Sequence, residues 1–378
     1  MQILKSTVAR LNQLGQQPWL DFVDRKLMHS GHLQRLIEED GLCGITSNPT
    51  IFEKAISSSK DYDTDIRKYV RQGLTAKNIV IRLMVADIQE ACDHFRGLYE
   101  QTEGTAGFVS IEVDPRLARE TEMTIDEAHL LWDWVDRPNV FVKIPGTVEG
   151  ITAIRQCLAD GLNINITLLF SLPRYNKIAN TYIEALEDRQ GRHQSIGHIA
   201  SVASFFLSRI DSKIDPLLEH KTLFNDAGET EADLASSLLG TIGIASAKMA
   251  YQMYREIFET SRWEHLEHAG ARRQKLLWAS TGPKNPAFPD LKYIEPLIGP
   301  DTVNTMPLET LEAYRDHGGP EVRLEQNIRQ ANHHLARLSD LGINLEEITD
   351  ELEEEGIRKF VEPYEKLLEL MNKRGASR

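Results

Sequence analysis

Cysteine is scarce in this chain of 378 residues. Its three cysteines are Cys43, Cys92 and Cys157, an odd number without CxxC spacing, which argues against a disulfide framework and is typical of a reducing compartment. Long apolar runs are missing as well. Residues 1–19 lack the apolar core of a signal peptide, and no stretch approaches the ~20 apolar residues of a membrane span. We therefore expect a soluble cytoplasmic protein.

Positive charge is also in short supply. The 43 Lys and Arg residues are outnumbered by 57 Asp and Glu residues, and the formal net charge is -14. This balance argues against a nucleic acid or an anionic membrane as a partner. A small anionic substrate would need a locally basic pocket.

Familiar cofactor and metal motifs are absent. There is no P-loop spacing, and no GxGxxG follows a strand-like run. The 12 histidines are scattered, and His265 and His268 have i, i+3 spacing without the HExxH order of zinc proteases. An exposed helix surface explains this pair better than a metal site does. We expect neither a metal ion nor an organic cofactor.

Eight short strand-like runs alternate with helical patterns. They are residues 19–23, 44–48, 108–114, 140–144, 164–170, 199–206, 275–280 and 302–306. Strands that alternate with helices predict right-handed βαβ units and a parallel sheet, and eight such units close a barrel. The length alone would suggest two or three domains, but single barrels with insertions reach this size. The predicted fold is therefore α/β, a (β/α)8 TIM barrel.

Helical additions interrupt and follow this barrel. Residues 51–107 predict two or three extra helices between the second and third strands. Residues 229–273 predict another long helical region, in which Gly240 and Gly243 indicate close helix packing.

The end of the chain has a different pattern. No strand is predicted after Gly318, so we expect a catalytic barrel domain over 1–318 and a C-terminal helical extension over 319–378. The extension would cover the barrel or a partner subunit. Its acidic run, residues 353–355, is most simply a solvated helix face.

Polar residues alternate with apolar ones in strands that should be buried on both sides. The period of two puts Glu112 opposite Ile111 and Val113, and it puts Asn165 and Thr167 on the face opposite Ile164 and Ile166. If the apolar faces meet the helices, the polar residues point into the barrel. The same argument directs Asp21, Asn48 and Lys143 inward. An antiparallel sheet with one wet face, or strand ends near solvent, would be the simpler alternatives.

A buried lysine suggests a particular chemistry. An amine that is removed from water favours its charged form less strongly, and it can then attack a carbonyl to form a Schiff base. Lys143 is the candidate nucleophile. Glu112 and Thr167 could handle the water and protons of iminium formation, while Asp21 could take a proton from a substrate hydroxyl. The alternative for Lys143 is a structural ion pair with Glu112.

Two other places resemble anion sites. One is the segment STGPKNP after the seventh strand, with Gly282 and Lys284, and the other is SFFLSR at the sixth strand, with Ser204 and Arg209. Barrel enzymes often bind phosphate with the loops after strands seven and eight. Taken singly, either segment could be an ordinary loop.

Several motifs resemble those of the transaldolases, in particular the longer bacterial members. They are GITSNPTIFEKAI at 44–56, VFVKIPGTVEGITAI at 140–154 and GLNINITLLFSLPRY at 161–175, and WASTGPKNP and DTVNTMP extend the likeness. The resemblance implies a class I aldolase barrel of the pentose phosphate pathway. Such a transferase moves a dihydroxyacetone unit from sedoheptulose 7-phosphate to glyceraldehyde 3-phosphate, giving erythrose 4-phosphate and fructose 6-phosphate.

The resemblance also implies roles for individual residues. Lys143 would form the Schiff base, Asp21 would act as acid/base at the C4 hydroxyl, and Glu112 with Thr167 would position the catalytic water. The implied substrate-binding residues are Thr46, Asn48, Asn165, Ser204, Arg209, Ser280 and Lys284. Among these, Arg209 resembles the phosphate-binding arginine of the family.

One segment departs from the family pattern. Shorter transaldolases have a second phosphate arginine in a Ser-Phe-Arg-Asn sequence, where residues 280–285 of this chain read STGPKN. Lys284 would replace that arginine as a point charge without its bidentate geometry. Two other functions remain open, an aldolase that releases free dihydroxyacetone and a non-catalytic barrel that binds sugar phosphates. The sequence leaves the oligomeric state open, with a homodimer as one option.

Overall fold

Eight parallel strands form a closed barrel in which each strand pairs with the next and β8 pairs with β1. The computed structural model describes residues 6–223 and 229–376, so the outermost residues of the predicted segments lie outside the described part. The strands are β1 Gln16–Leu20, β2 Gly44–Ile45, β3 Phe108–Glu112, β4 Val140–Pro145, β5 Ile164–Leu169, β6 Ser201–Phe206, β7 Lys275–Ala279 and β8 Thr302–Met306. The predicted (β/α)8 barrel is confirmed.

Helices surround this barrel and extend beyond it. Up to β6 they are α1 Thr7–Gln13, α2 Arg25–His29, α3 His32–Glu39, α4 Pro49–Ser58, α5 Asp63–Arg71, α6 Ala76–Gln101, α7 Thr121–Val135, α8 Val148–Asp160 and α9 Leu172–Gly191. After β6 they are α10 Ser208–Leu223, α11 Glu229–Leu238, α12 Ile242–Phe258, α13 Ser261–His268, α14 Leu308–His317, α15 Ile328–Arg337 and α16 Leu345–Ala376. Short 3-10 turns occur at Pro115–Leu117, Glu295–Leu297 and Ser339–Leu341.

The first strand lies three residues earlier than its prediction over 19–23. Gln16 and Pro18 are unusual in a central strand, because a buried amide needs hydrogen-bond partners and proline has no N–H to donate to the neighbouring strand. The barrel supplies those partners, since Nε2 of Gln16 donates to the carbonyl of Leu297 at 2.7 Å and to Thr302 at 3.0 Å. The strand ends before Asp21, which therefore sits at the rim of the barrel.

Strand register sets the level of the inward side chains. Glu112 on β3 is paired with Lys143 on β4, which in turn is paired with Asn165 on β5. Two residues further along, Pro145 is paired with Thr167. Because paired residues of neighbouring parallel strands share a face, the polar side chains enter the barrel as one band near the carboxyl ends of the strands.

The insertion between β2 and β3 contains three helices, α4 to α6, as the sequence predicted. Asn48 begins α4, since the main-chain N–H of Ile51 donates to its Oδ1 at 3.1 Å and Pro49 occupies the first turn. Thr75 caps α6 in the same way through Asn78. The insertion is therefore anchored at the end of β2, directly beside the mouth of the barrel.

Close packing at Gly243 is confirmed in the region between β6 and β7. A Cβ atom at this position would lie 2.8 Å from the main-chain oxygen of Leu207 and 3.3 Å from Oδ2 of Asp211. The main-chain N–H of Gly243 donates to Oδ1 of Asp211 at 2.7 Å. The start of α12 thus lies directly against the loop that follows β6. His265 and His268, by contrast, lie exposed on α13.

The C-terminal helix α16 crosses the barrel and contacts α4, α6 and α10. The prediction that residues 353–355 form a solvated face was wrong for two of the three residues. Glu353 pairs with Arg174 at 3.4 Å, and Glu355 pairs with Lys213 at 2.7 Å. Only the side chain of Glu354 stays mostly exposed. The acidic run faces basic residues of the barrel, which the local pattern cannot reveal. None of the described helices is long and apolar enough to cross a membrane.

We expect Gly243→Val to destabilise the protein by about 1–3 kcal/mol, because the new side chain meets main-chain atoms that cannot move aside. Gly97→Val is the matched control, since Gly97 lies within α6 with no atom within 4 Å of its Cβ position. Urea unfolding followed by circular dichroism measures both. Equal midpoints for the two variants would contradict the packing argument.

Candidate active site

A pocket of about 520 Å³ opens at the carboxyl ends of the barrel strands. Every predicted site residue except Glu112 and Asn165 lines it: Asp21, Thr46, Asn48, Lys143, Thr167, Ser204, Arg209, Ser280 and Lys284. Active sites of TIM barrels lie at this end, where loops from several strands converge. Residues from separate parts of the chain are thus brought to one cavity.

Lys143 lies at the bottom of this pocket and is 5% exposed. Its ammonium donates to the carbonyl oxygen of Ser47 at 2.8 Å and forms an ion pair with Glu112. The structural ion pair that the sequence left open is therefore present. This ion pair is compatible with a chemical role for Lys143, because Lys143 also faces the cavity and Glu112 is close enough to exchange a proton with it.

Glu112 and Thr167 have hydrogen-bonding capacity that the described residues do not use. Oε1 of Glu112 is paired with Lys143, whereas Oε2 of Glu112 and the hydroxyl of Thr167 are buried without a hydrogen-bond partner among the described residues. Burial raises the pKa of Glu112, although the charge of Lys143 opposes this effect. Since an unsatisfied buried polar group costs roughly 1–3 kcal/mol, these atoms favour a bound water or substrate hydroxyl beside them.

The backbone bends sharply next to Thr167. The register between β5 and β6 shifts between Ile166 and Leu169, and Leu168 has a φ of 61°. A non-glycine residue in this left-handed region costs on the order of 1–3 kcal/mol, and such residues cluster at functional sites. The irregularity ends the regular ladder where the hydroxyl of Thr167 meets the cavity.

Asp21 lies across the pocket from this band, after the end of β1. The hydroxyl of Thr46 donates to its Oδ1 at 2.7 Å and lies 2.6 Å from the hydroxyl of Thr305. Burial raises the pKa of Asp21, while the charge of Lys143 and the hydrogen bond from Thr46 act in the opposite direction. A carboxyl group of raised pKa exchanges protons more readily near neutral pH, which suits an acid/base.

Ser204 and Asn165 form a buried chain of hydrogen bonds. Ser204 donates to Oδ1 of Asn165 at 2.7 Å, and Nδ2 of Asn165 donates to the hydroxyl of Ser110 at 3.1 Å. Asn165 is fully buried and reaches the cavity through Ser204. Asn48 faces the cavity directly, although its oxygen already caps α4.

One end of the pocket is basic. Arg209 lies in the first turn of α10, where burial lowers its pKa, and its Nη1 atom is buried without a hydrogen-bond partner in the described structure. Lys284 and Ser280 line the cavity nearby, and the hydroxyl of Ser280 lies 2.9 Å from that of Ser208 beside Arg209. A guanidinium with an unused N–H at a helix N-terminus is well suited to an oxyanion.

Comparison with known proteins agrees with this geometry. The family model for Transaldolase/Fructose-6-phosphate aldolase matches residues 18–371. The chain belongs to this family. It is 43% identical to a Transaldolase of Trichodesmium erythraeum over 96% of this chain and 95% of the relative. It is 42% identical to a Transaldolase of Thermobifida fusca over 96% of this chain and 97% of the relative. It is 44% identical to Transaldolase 2 of a Nostoc species over 96% of this chain and 95% of the relative.

Membership in the transaldolase family makes the chain an enzyme, a transferase of the transaldolase type. The predicted resemblance is confirmed over nearly the whole chain. A non-catalytic barrel is thereby excluded.

Several residues that line the pocket of this transaldolase-family barrel were not predicted from the sequence, among them Lys54, Thr305 and Phe360. Lys54 lies four residues after Thr50 on α4, so the two residues share a helix face at the mouth of the pocket. This spacing could have predicted Lys54. No such spacing indicated Phe360, since α16 is far from the barrel strands in sequence.

Asp21→Asn should stabilise the folded protein at neutral pH. Because burial raises the folded-state pKa of Asp21 above its ordinary value of 3.8, ionisation of this group disfavours the folded state as the pH rises. The amide keeps the acceptor for Thr46. We expect a melting temperature about 1–4 °C above wild type at pH 8, and a difference that shrinks as the pH falls toward the ordinary value of 3.8, because the carboxyl then becomes protonated in both states.

The control for this measurement is Asp126→Asn, at an exposed position of α7. Differential scanning fluorimetry between pH 4 and pH 8 compares the three proteins. An Asp21→Asn protein less stable than wild type at pH 8 would show that the charge at Asp21 is favourable in the folded state.

Proposed function

We propose that this enzyme transfers a dihydroxyacetone unit from sedoheptulose 7-phosphate to glyceraldehyde 3-phosphate through a Schiff base at Lys143. The supporting observation is the position of Lys143, a buried ammonium that faces the cavity and is paired with Glu112, whose carboxylate lacks other partners. The products are erythrose 4-phosphate and fructose 6-phosphate.

The first step joins Lys143 to the ketose. The ammonium passes a proton to Glu112, and the neutral Nζ attacks the C2 carbonyl to give a carbinolamine. The C2 hydroxyl then leaves as water, taking the proton from Glu112, and an iminium ion remains. Thr167 holds this water, which later hydrolyses the iminium of the product. The buried oxygen atoms of Glu112 and Thr167 that lack hydrogen-bond partners support these roles.

The second step breaks the bond between C3 and C4. Asp21 takes the proton of the C4 hydroxyl, the C4 oxygen becomes an aldehyde, and the electrons of the broken bond move to the iminium to form an enamine. Erythrose 4-phosphate leaves, and the enamine attacks the aldehyde of glyceraldehyde 3-phosphate. Asp21 returns its proton to the new hydroxyl. Its raised pKa makes the carboxylate a stronger base, which favours the uptake of the C4 hydroxyl proton in the cleavage step.

The remaining pocket residues bind and orient the sugar. Asn48, Asn165 and Ser204 hold the hydroxyl groups of the dihydroxyacetone unit, with Asn165 acting on the ligand through Ser204. Thr46 orients Asp21 through its hydrogen bond. Arg209, Lys284 and Ser280 bind the phosphate, for which the unpartnered Nη1 of Arg209 is the main support.

The family also includes fructose-6-phosphate aldolases, so release of free dihydroxyacetone is the second candidate. The curated relatives are named transaldolases and are matched over almost their whole length, which favours the transferase. Product analysis with and without an acceptor aldehyde separates the two activities.

We also propose a cytoplasmic location and no nucleic-acid partner, which the net charge of -14 supports. A division into a catalytic domain over 1–318 and a helical extension over 319–378, and assembly as a homodimer, are likewise proposals.

Borohydride reduction in the presence of fructose 6-phosphate should trap a dihydroxyacetone adduct on Lys143. Reduction converts the iminium to a stable secondary amine, and peptide mass mapping locates it. Lys143→Ala should lose both the adduct and turnover, with a rate reduced by at least ~10³-fold. An adduct on another lysine, or transfer at a near-normal rate in the variant, would overturn the assignment.

A further inference from the structure

The C-terminal helix α16 reaches the basic end of the pocket. Phe360 on this helix is 6% exposed and lines the same cavity as Lys143 and Arg209. The guanidinium of Arg209 lies near two aromatic rings, with its Cζ 5.2 Å from the ring centroid of Phe206 and 5.8 Å from that of Phe360. Phe206 belongs to the barrel strand β6, whereas Phe360 comes from the extension. The two parts of the chain therefore meet at one arginine.

Gly356 allows the helix to come this close. A Cβ atom at Gly356 would lie 2.9 Å from Cδ2 of Leu168 and 3.5 Å from Nη1 of Arg209. Leu168 is the residue at the bend of β5, so the helix backbone rests on the irregular part of the barrel rim. Gly356 and Phe360 are four residues apart and share a helix face.

Ion pairs next to Gly356 hold α16 on the barrel. Glu353 pairs with Arg174 at 3.4 Å and with Arg119 at 3.9 Å, and Glu355 pairs with Lys213 at 2.7 Å. Lys213 lies on α10, the helix that begins with the turn of Arg209. Burial raises the pKa of Glu353, although Arg174 and Arg119 oppose this effect. These pairs flank Gly356 and thereby place Phe360 over the pocket.

Cation–π contacts with these two rings explain how a buried cation is held without using its hydrogen-bond donors. Aromatic faces attract a guanidinium and restrict its plane, whereas a carboxylate partner would occupy its N–H groups and cancel its charge. In the described structure Nη1 of Arg209 indeed has no hydrogen-bond partner. The donors are thus oriented and left open for an anion.

We propose that Phe360 is a positioning residue for substrate phosphate, acting through Arg209, so that the C-terminal helix supplies part of the active site. The inference rests on the proposed role of Arg209 as a phosphate ligand. Without the ring of Phe360 the guanidinium is free to rotate, and phosphate binding weakens while the chemistry at Lys143 proceeds.

Phe360→Leu tests this inference with inorganic phosphate as a competitive inhibitor and fructose 6-phosphate as the donor. We expect the inhibition constant of phosphate and the KM of fructose 6-phosphate to rise about 10-fold, with kcat within about 2-fold of wild type. Turnover of fructose, which has no phosphate, should keep its kcat/KM. Phe360→Tyr retains the aromatic face and should restore phosphate inhibition to within about 2-fold.

Leu367→Val is the matched control for stability, because Leu367 is a fully buried residue of α16 that does not line the pocket. It should lower the melting temperature without changing the inhibition constant of phosphate. If Phe360→Leu changes only the melting temperature, as Leu367→Val does, Phe360 has a packing role alone and the inference is wrong.

Arg209→Gln separates this inference from the proposed function. Weaker phosphate inhibition in Arg209→Gln together with unchanged inhibition in Phe360→Leu would refute the role of Phe360 and keep that of Arg209. Unchanged inhibition in Arg209→Gln would refute the phosphate role of Arg209 itself, and the inference with it.

Discussion

The ion pair between Lys143 and Glu112 in the interior of the barrel is the interaction on which the rest of the site depends. Register makes it possible, because the two residues are direct neighbours on β3 and β4. Burying two charges is costly, and the cost is offset only when both are paired and hydrogen-bonded. The carbonyl of Ser47 supplies the additional bond to Lys143. Closure of the strands therefore holds a lysine and a glutamate together at the bottom of a cavity.

The cavity also leaves polar groups incompletely satisfied. Oε2 of Glu112, the hydroxyl of Thr167 and Nη1 of Arg209 are buried without a hydrogen-bond partner in the described residues, while Oε1 of Glu112 is paired with Lys143. Natural folds rarely tolerate such atoms, and they concentrate where a ligand completes them. Burial of Asp21 has a similar cost, because it disfavours the charged form of the carboxyl and so raises its pKa. The pocket is therefore less stable than an apolar lumen would be, and it is prepared for a polar ligand.

The extension gives this cavity its outer wall. The acidic residues of α16 contact basic residues that follow several barrel strands. Gly356 has no side chain, which allows the helix to pack closely on the rim. A segment distant in sequence thus contacts the same arginine as strand β6. The interactions that attach the helix therefore also bring one of its side chains to a group that lines the pocket.

Much of the architecture was predictable from local pattern. Alternation of period two in Ser110-Ile111-Glu112 and in Asn165-Ile166-Thr167 assigned the inward faces, and the helices between strands predicted a parallel barrel. The boundary of β1 was not predictable, since the side-chain N–H groups of Gln16 donate to Leu297 and Thr302, which are 281 and 286 residues away. The face of Glu353 was misjudged for the same reason, because Arg174 lies on α9 and Arg119 lies just before α7, both far from α16 in sequence.

The sequence by itself determined the fold class, the family motifs and the candidate site residues, because periodicity and residue type are local properties. Tertiary structure alone decided which of them touch. It paired Lys143 with Glu112, placed Asn165 behind Ser204 and brought Phe360 to Arg209. Those contacts depend on barrel closure and on the path of α16, and no local pattern encodes a distance between residues that are far apart along the chain.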